Sequence, residues 1–593
     1  MKELLTLLPY LQRYRVRIGL GLVLVVVANG FSLAAPYLIK EAIDALGRPE
    51  AGREIIGRYA ALILITALIG GAARYGMREL LNGVSRWVEF DLRNRFFDHL
   101  LRLDASFYGR MPTGEIMSRA TNDIAAVRMV AGPAYMYLVN TIAVSLFALT
   151  LMIWIDPWLT FVSMIPMLAL PPITVGFGKL IHARFEGIQE RFGTMSTMVQ
   201  ENLAGVRIVK AYGQEERHTR RFGALATDYL ERNLSLARVS GLFHPLLALF
   251  SGVAMATVLL LGGRAAMNGD ITIGDLVAFI LYLGMLTWPM IALGWVVNLF
   301  QRGAASMRRI NAILATEPHI TDPAQPQAPR LTPGEIEFRN VSFRYPGTER
   351  LVLRDVSFRI PAGGMLALVG ATGSGKSTLV GLLVRLYDAT SGKILLDGVP
   401  VQEMELDRLR AAVGMVPQDT FLFSDTIREN LSIGFDEAAG EREEQRIRSA
   451  ARIAQLDETV LELPRGYDTL LGERGVNLSG GQKQRATLAR AIAREPSVLI
   501  LDDALSAVDT HTEAEILRGL RRVLRERTSI VVSHRVSAVM GADLILVLDD
   551  GEVVEQGTHE ELIERGGTYA SLLRRQLLEE EVGEERVLAG PNG

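Results

Sequence analysis

The 593-residue chain contains no cysteine, which excludes a disulfide framework, a thiolate metal site and cysteine nucleophile chemistry. It also has no excess of either charge: 63 Lys plus Arg stand against 66 Asp plus Glu, a formal net charge of −3. No global basic field points to nucleic acid as a partner. Charge is scarce at 22%, hydrophobic residues reach 49% and mean hydropathy is +0.21, whereas soluble domains carry about 25% charge. One ordinary soluble fold does not fit these averages.

What is present is unevenly spread. Asp, Glu, Lys and Arg are missing from residues 18–39, 59–73, 129–155, 157–178, 239–263 and 276–301, and after residue 302 no such run reaches 18 residues. Five of the six runs exceed the roughly 20 apolar residues that cross a bilayer as a helix. The second is shorter, but Arg74 and Arg78 suit a membrane edge or a watery interior. Buried helices of a soluble core rarely stay charge-free this long, so the reading is six spanning helices at about 18–39, 57–80, 129–155, 157–178, 239–263 and 276–301. A cleavable leader is not expected, since its apolar region runs to about 7–15 residues and this one continues through Pro36 to Lys40.

Arginine placement orients the bundle. Lys2, Arg13, Arg15 and Arg17 precede the first run, and residues 74–128 and 179–238 are rich in Arg, whereas Asp156-Pro157 and Arg264 mark short opposite turns. Both termini and the two long segments are therefore expected in the cytoplasm of a prokaryote, with the chain multi-pass in its inner membrane. Residues 79–107 and 180–235 keep apolar residues at helical spacing, as in Phe90-Leu92-Phe96-Phe97-Leu100-Leu101. This predicts helices running past the membrane as two coupling segments, with turns near Met111-Pro112-Thr113-Gly114 and at Gly205 and Gly213.

The domain reading is a helical membrane domain over 1–316, a Pro-rich linker over 317–334, a nucleotide-binding domain over 335–580 and a flexible tail over 581–593. In the third part, short apolar runs such as Met365–Val369, Val413–Val416, Val498–Leu501 and Ile530–Val532 alternate with helical patterns. That predicts an α/β domain with a largely parallel sheet.

Gly370-Ala371-Thr372-Gly373-Ser374-Gly375-Lys376-Ser377-Thr378 is a full P-loop between a strand and a helix. Its glycines let backbone N–H groups close around phosphate oxygens, Lys376 neutralises the β and γ phosphates, and the Ser377 hydroxyl ligates Mg²⁺. Val498-Leu499-Ile500-Leu501-Asp502-Asp503 is an apolar strand ending in carboxylates, with Asp502 placed to hold the Mg²⁺ shell. Leu478-Ser479-Gly480-Gly481-Gln482-Lys483-Gln484-Arg485 opens a further helix and offers a second anion site. Since the P-loop already serves this chain's own nucleotide, that second surface suits a partner's.

With these motifs the sequence resembles the ATP-binding cassette family, specifically the exporter half-transporters with six membrane helices and one nucleotide-binding domain, over nearly its whole length. The resemblance implies ATP and Mg²⁺ as cofactors. It assigns Tyr345 to stacking on adenine, Gln418 to Mg²⁺ and the attacking water, and His534 to the γ-phosphate. Ser479, Gly480, Gly481 and Gln482 would complete a partner's site. Gly472-Glu473-Arg474-Gly475 resembles the element touching the partner's coupling helices, and Ser506-Ala507-Val508-Asp509 the loop that crosses the dimer interface. Gly114–Asp123 and Glu201–Tyr212 resemble the two coupling helices.

One position departs from the family pattern. The residue after the Mg²⁺ aspartate is usually Glu, and here it is Asp503, shorter by one methylene or about 1.5 Å. A general base needs its proton within about 2.6–3.2 Å, and losing that positioning costs about 10² to 10⁴ in rate. The expectation is an own site that binds ATP but hydrolyses it slowly, in one subunit of a heterodimer whose other chain carries Glu there. The alternatives are a homodimeric exporter or lipid flippase with slow ATPase, and an ATP-gated channel.

The cargo is expected to be a lipophilic small molecule, lipid or peptide. Phe243, His244, Phe279, Tyr282, Met285, Trp288 and Phe300 are candidates for an apolar cavity, or else face lipid and neighbouring helices.

Overall fold

The computed structural model describes residues 2–47, 53–328, 334–435, 440–472, 475, 478–533 and 539–577. The chain forms two compact units, one of residues 1–101 and 113–316, the other of residues 102–112 and 317–593.

Six helices long and apolar enough to cross a membrane build the first unit. They are α1 (Arg15–Leu46), α2 (Arg53–Arg102), α4 (Thr113–Ile155), α5 (Pro157–Ala204), α7 (Glu215–Asn268) and α8 (Ile273–Leu314). The short α3 (Ala105–Arg110) and α6 (Val206–Ala211) lie between them. Each charge-free run sits inside one of the six, and the amphipathic stretches beside it extend the same helix.

The breaks have local causes. Asp156 caps α5 by accepting from the Leu159 N–H at 3.0 Å, and Pro157 follows at the first helical position. Gly269, at φ +82°, ends α7 in the left-handed region. Thr272 and Asp275 then form a reciprocal capping box at the start of α8. The end of α1 holds that start: Asp44 accepts from the Gly274 N–H at 3.0 Å and the Thr272 hydroxyl at 2.8 Å, and Lys40 pairs with Asp275 at 2.9 Å.

Two π-type turns, Arg119–Asp123 and Val130–Ala134, interrupt α4. Between helices the backbones approach closely, for a Cβ on Gly303 would lie 2.1 Å from Val130 and one on Gly132 2.5 Å from Ser85. Asp123, buried in α4, accepts from Ser306 at 2.9 Å and from Arg309 at 2.8 Å on α8. Leu33, Met152, Met167, Leu170, Phe279 and Tyr282 fill a buried core. Large apolar side chains such as Leu68, Trp154, Phe161 and Leu260 point outward, as a lipid-facing surface requires. Phe279 and Tyr282 are buried among neighbouring helices, and the Tyr282 hydroxyl donates to the Leu33 carbonyl at 3.1 Å. Phe243 packs on Phe177 and His244, Met285 packs against the same core, and Trp288 is exposed.

The second unit holds two sheets. Strands β1 (Ile336–Phe343), β2 (Leu353–Ile360), β4 (Ser391–Leu396) and β5 (Val399–Pro400) form an antiparallel sheet in the order β2-β1-β4-β5. The larger sheet uses β3 (Met365–Gly370), β6 (Val413–Val416), β7 (Val498–Asp502), β8 (Thr528–Val532), β9 (Leu544–Asp549) and β10 (Glu552–Gly557). Its order is β10-β9-β3-β8-β7-β6, parallel except for β10.

Alternate residues of one strand feed opposite cores. Ala367, Val369, Leu499 and Leu501 join one, and Leu366, Leu368, Val498 and Ile500 the other. Burial on both faces is why these strands read as unbroken apolar runs.

Residues 317–328 have no regular secondary structure but are tied to this unit. Arg385 donates to the Thr321 carbonyl at 3.1 Å, Asp322 accepts from the Leu406 N–H at 2.7 Å, and the Gln327 N–H donates to the Glu403 carbonyl at 2.8 Å.

Candidate nucleotide-binding site

The P-loop bridges β3 and α9 (Lys376–Leu383). Gly370, Gly373 and Gly375 take φ of +150°, +84° and +102°, which only glycine adopts at low cost. A Cβ on Gly370 would also stand 2.1 Å from the Leu548 carbonyl oxygen. Ser374, Lys376 and Thr378 are buried, while Thr372 and Ser377 are open to solvent.

The Lys376 ammonium donates to the carbonyls of Gly370 and Ala371, both at 2.8 Å, and weakly to Ser374 Oγ at 3.4 Å. Burial lowers its pKa, and the carboxylates of Asp502 and Asp503 pull it back up, leaving it below its ordinary value. A buried cation held by neutral oxygens, at the start of a helix with free N–H groups, fits the phosphate chain of a nucleoside triphosphate.

Strand order brings the acids to this loop. β8 lies between β3 and β7, so Gly370 at the end of β3 and Asp502 at the end of β7 sit two strands apart on one sheet edge. Asp502 is buried. Asp503 leaves the strand in the left-handed region at φ +50°, a conformation Asp tolerates better than most residues, and its N–H donates to the Val532 carbonyl at 2.9 Å. With Ser506, Glu513 and Ser533 it lines a small cavity of about 40 Å³.

Tyr345 does not stand free. Its hydroxyl is 2.9 Å from Thr378 Oγ1, and its ring meets Phe343 and Tyr387 edge-on at 5.0 and 5.3 Å. Gln418 lies exposed two residues past β6. His534, Glu473 and Arg474 fall outside the described residues.

The other expected segment opens α11 (Gly480–Ala493), helix α10 (Gly440–Ile453) having come before it in the chain. Ser479 and Gln482 cap α11 reciprocally: the Gln482 N–H donates to Ser479 Oγ at 3.2 Å and the Ser479 N–H to Gln482 Oε1 at 2.8 Å. Gly480 is exposed and Gly481 half-buried. The structure thus joins the P-loop to Asp502 and Asp503, and presents Ser479–Gln482 at a separate helix start.

Two features went unread in the sequence. Asp104 caps α3 by accepting from the Phe107 N–H at 3.3 Å and also takes the His319 N–H at 3.0 Å. Its sequence signal was a capping Asp before Ala-Ser-Phe. Gln484, one turn inside α11, is buried; nothing in its own residue type announces that.

Family comparison agrees with this geometry. Residues 18–290 match the ABC transporter transmembrane region, and residues 353–506 match the ABC transporter model. A probable multidrug resistance ABC transporter ATP-binding/permease protein, YheI of Bacillus subtilis (strain 168), is 38% identical over 571 residues, covering 96% of this chain and 97% of that one. The chain belongs to the ABC transporters, as an exporter half-transporter.

Another relative, the ATP-dependent lipid A-core flippase of Syntrophus aciditrophicus (strain SB), is 34% identical over 96% of this chain and 94% of its own. Among solved structures, a bacterial Atm1-family ABC exporter with ATP bound superposes with a TM-score of 0.77 at 30% identity, covering 95% of this chain and 98% of that one. This ABC exporter subunit is accordingly a multi-pass membrane protein and an ATPase-coupled transporter, of a kind that works as a dimer.

Proposed function

We propose that the chain exports a lipophilic or amphipathic molecule, be it a drug, lipid or peptide, as one half of a heterodimer whose second chain carries Glu after its Mg²⁺ aspartate. Asp503 carries this reading. Its short side chain leaves the water-activating position of this chain's own site under-reached, while the Ser479–Gln482 segment lent to the partner is complete.

Each residue then has a role. The P-loop amides and Lys376 hold the phosphates, Ser377, Gln418 and Asp502 hold Mg²⁺, Tyr345 stacks on the base, and His534 contacts the γ-phosphate. When bound, MgATP supplies the phosphoryl group whose transfer to water resets the cycle. Differential binding to closed and open dimers turns the cavity from the cytoplasm, where both termini lie, to the exterior.

Uptake tests the transport reading. Inverted inner-membrane vesicles containing the chain and the half-transporter encoded beside it should accumulate a fluorescent lipophilic cation only with MgATP, and a Lys376→Ala chain should not support the full rate. ATP-dependent conductance without accumulation would make the protein a channel. The lipid A-core flippase relative supports a second reading in which the cargo is a lipid, recognised by ATP-dependent movement of labelled lipid between leaflets.

A further inference from the structure

In ABC exporters the start of α11 serves the ATP site of the facing chain, whereas Asp503 serves this chain's own. The two regions are fastened together inside this chain by one buried amide. Gln484 Nε2 donates to Ser506 Oγ at 2.9 Å, and its Oε1 accepts from the Ala507 N–H at 2.8 Å. The backbone N–H can only donate, so the amide has one allowed orientation and both its ends are used. The side chain is 4% exposed, so water does not replace either bond cheaply.

The surrounding backbone closes the joint. A Cβ on Gly481 would lie 2.9 Å from the Ala507 carbonyl oxygen, and one on Gly480 3.7 Å from the Ala507 Cβ. The turn at 506–508 therefore rests directly on the first turn of α11. The same turn is rooted in the catalytic strand, since the Ser506 N–H reaches the Asp503 carbonyl at 3.4 Å. Beyond it, Asp509 caps α12 (Thr510–Arg525) by accepting from the Thr512 N–H at 2.9 Å. From Gln484 to Asp503 the path is two hydrogen bonds long.

We propose that Gln484 is a positioning residue that makes the Ser479–Gln482 turn and the Ser506–Asp509 turn one rigid body, so that Ser479–Gln482, lent to the fast site of the partner, and Asp503, in this chain's own site, are placed together when the dimer closes. This rests on the reading above that two chains share two sites.

The test uses the full-length chain purified in lipid nanodiscs in the dimer it forms. Gln484→Leu removes both hydrogen bonds at similar volume. Gln484→Glu keeps the acceptor for the Ala507 N–H and puts a second acceptor in place of the amide donor, with the Ser506 hydroxyl turned to donate to it. For Gln484→Leu the account expects MgATP affinity within about twofold of wild type, kcat down about tenfold or more, and a Hill coefficient for ATP falling to about 1. Gln484→Glu should restore kcat and the Hill coefficient to within about threefold, which a merely space-filling role would not produce. Ser506→Ala, at an exposed position, removes one bond without touching the core. It should lower kcat several-fold even if Gln484→Leu does not fold. Wild-type kcat and cooperativity in Gln484→Leu or Ser506→Ala, or equal defects in the Leu and Glu variants, overturn the proposal. Absence of ATP cooperativity in the wild-type dimer removes instead the shared-site reading on which it stands.

Discussion

At the residue scale the proposal turns on one methylene. Asp503 sits in a left-handed turn with its N–H donating to the Val532 carbonyl. Asp503→Glu is expected to raise single-turnover hydrolysis at this chain's own site by about 10²-fold or more, the lower end of the 10² to 10⁴ that base positioning is worth, with ATP affinity unchanged. Rapid-quench measurement with labelled ATP reads this directly. Lys376→Ala removes a charge-assisted contact worth about 1.5–3 kcal/mol, so MgATP binding should weaken about 10- to 100-fold in an equilibrium binding assay. Lys376 stood out in the sequence by its P-loop spacing, and Asp503 by following an apolar strand that ends in a carboxylate. Gln484 was not, because a polar residue in a helix reads as solvent-facing until the turn packed on it is known.

At the element scale, caps hold the joints. Asp104 starts α3 and anchors His319. Burial pushes its pKa up, but hydrogen bonds from the Ser106 hydroxyl and the His319 and Phe107 N–H groups outweigh this, so it lies below the ordinary 3.8. A carboxylate depressed in the folded state contributes stability that is complete above its unfolded value and lost as pH falls through the folded one. Amide exchange at His319 and Phe107 should therefore stay protected from pH 7 down to about 4.5 and weaken below 3.8. In Asp104→Asn the protection should be lower at pH 7 and flat with pH.

The α1–α8 joint makes a second case. A Cβ on Gly274 would meet the Lys40 carbonyl oxygen at 2.5 Å and Asp44 at 2.6 Å. Gly274→Ala should separate the helix ends and cost the Asp44 cap, about 0.5–2 kcal/mol, seen as a lower thermal midpoint in detergent. Asp44→Ala should lower it to a similar degree, and the two together should be far from additive because they break the same contact.

Element types followed from periodicity, and helix lengths exceeded the apolar runs because the amphipathic flanks continue each helix without a breaker. Sequence pattern did not show the antiparallel sheet of β1, β2, β4 and β5, whose strands are short and half-polar. Nor did it show that Arg102–Pro112 belongs to the second unit, since local pattern carries no information on which surface a short helix meets. The Pro-rich stretch read as a spacer, and its described residues 317–328 have no regular structure, yet Thr321, Asp322 and Gln327 find partners on the second unit.

At the scale of the whole molecule, near-neutral charge and high hydrophobicity are the mean of two different units, an apolar-surfaced helix bundle and an α/β ATPase. The bundle exposes Trp154, Phe161 and Leu260 because its solvent is lipid; the ATPase unit buries its apolar strands on both faces because its solvent is water. Motif spacing was enough to place the phosphate site on the second unit. Where a cargo would bind in the first unit was not legible, since the aromatic residues of α7 and α8 that pack the core are the same types that would bind a lipophilic cargo.

On the proposed function, this chain's own ATP site is slow and fast turnover needs a second chain with Glu in place of Asp503. Steady-state ATPase of the purified chain in nanodiscs, alone and with the half-transporter encoded beside it, tests this most directly. The account predicts slow hydrolysis alone and an increase of about 10² or more with the partner, an increase lost when the partner's Glu is changed to Gln. Fast hydrolysis by this chain alone, unchanged by the partner, would contradict it.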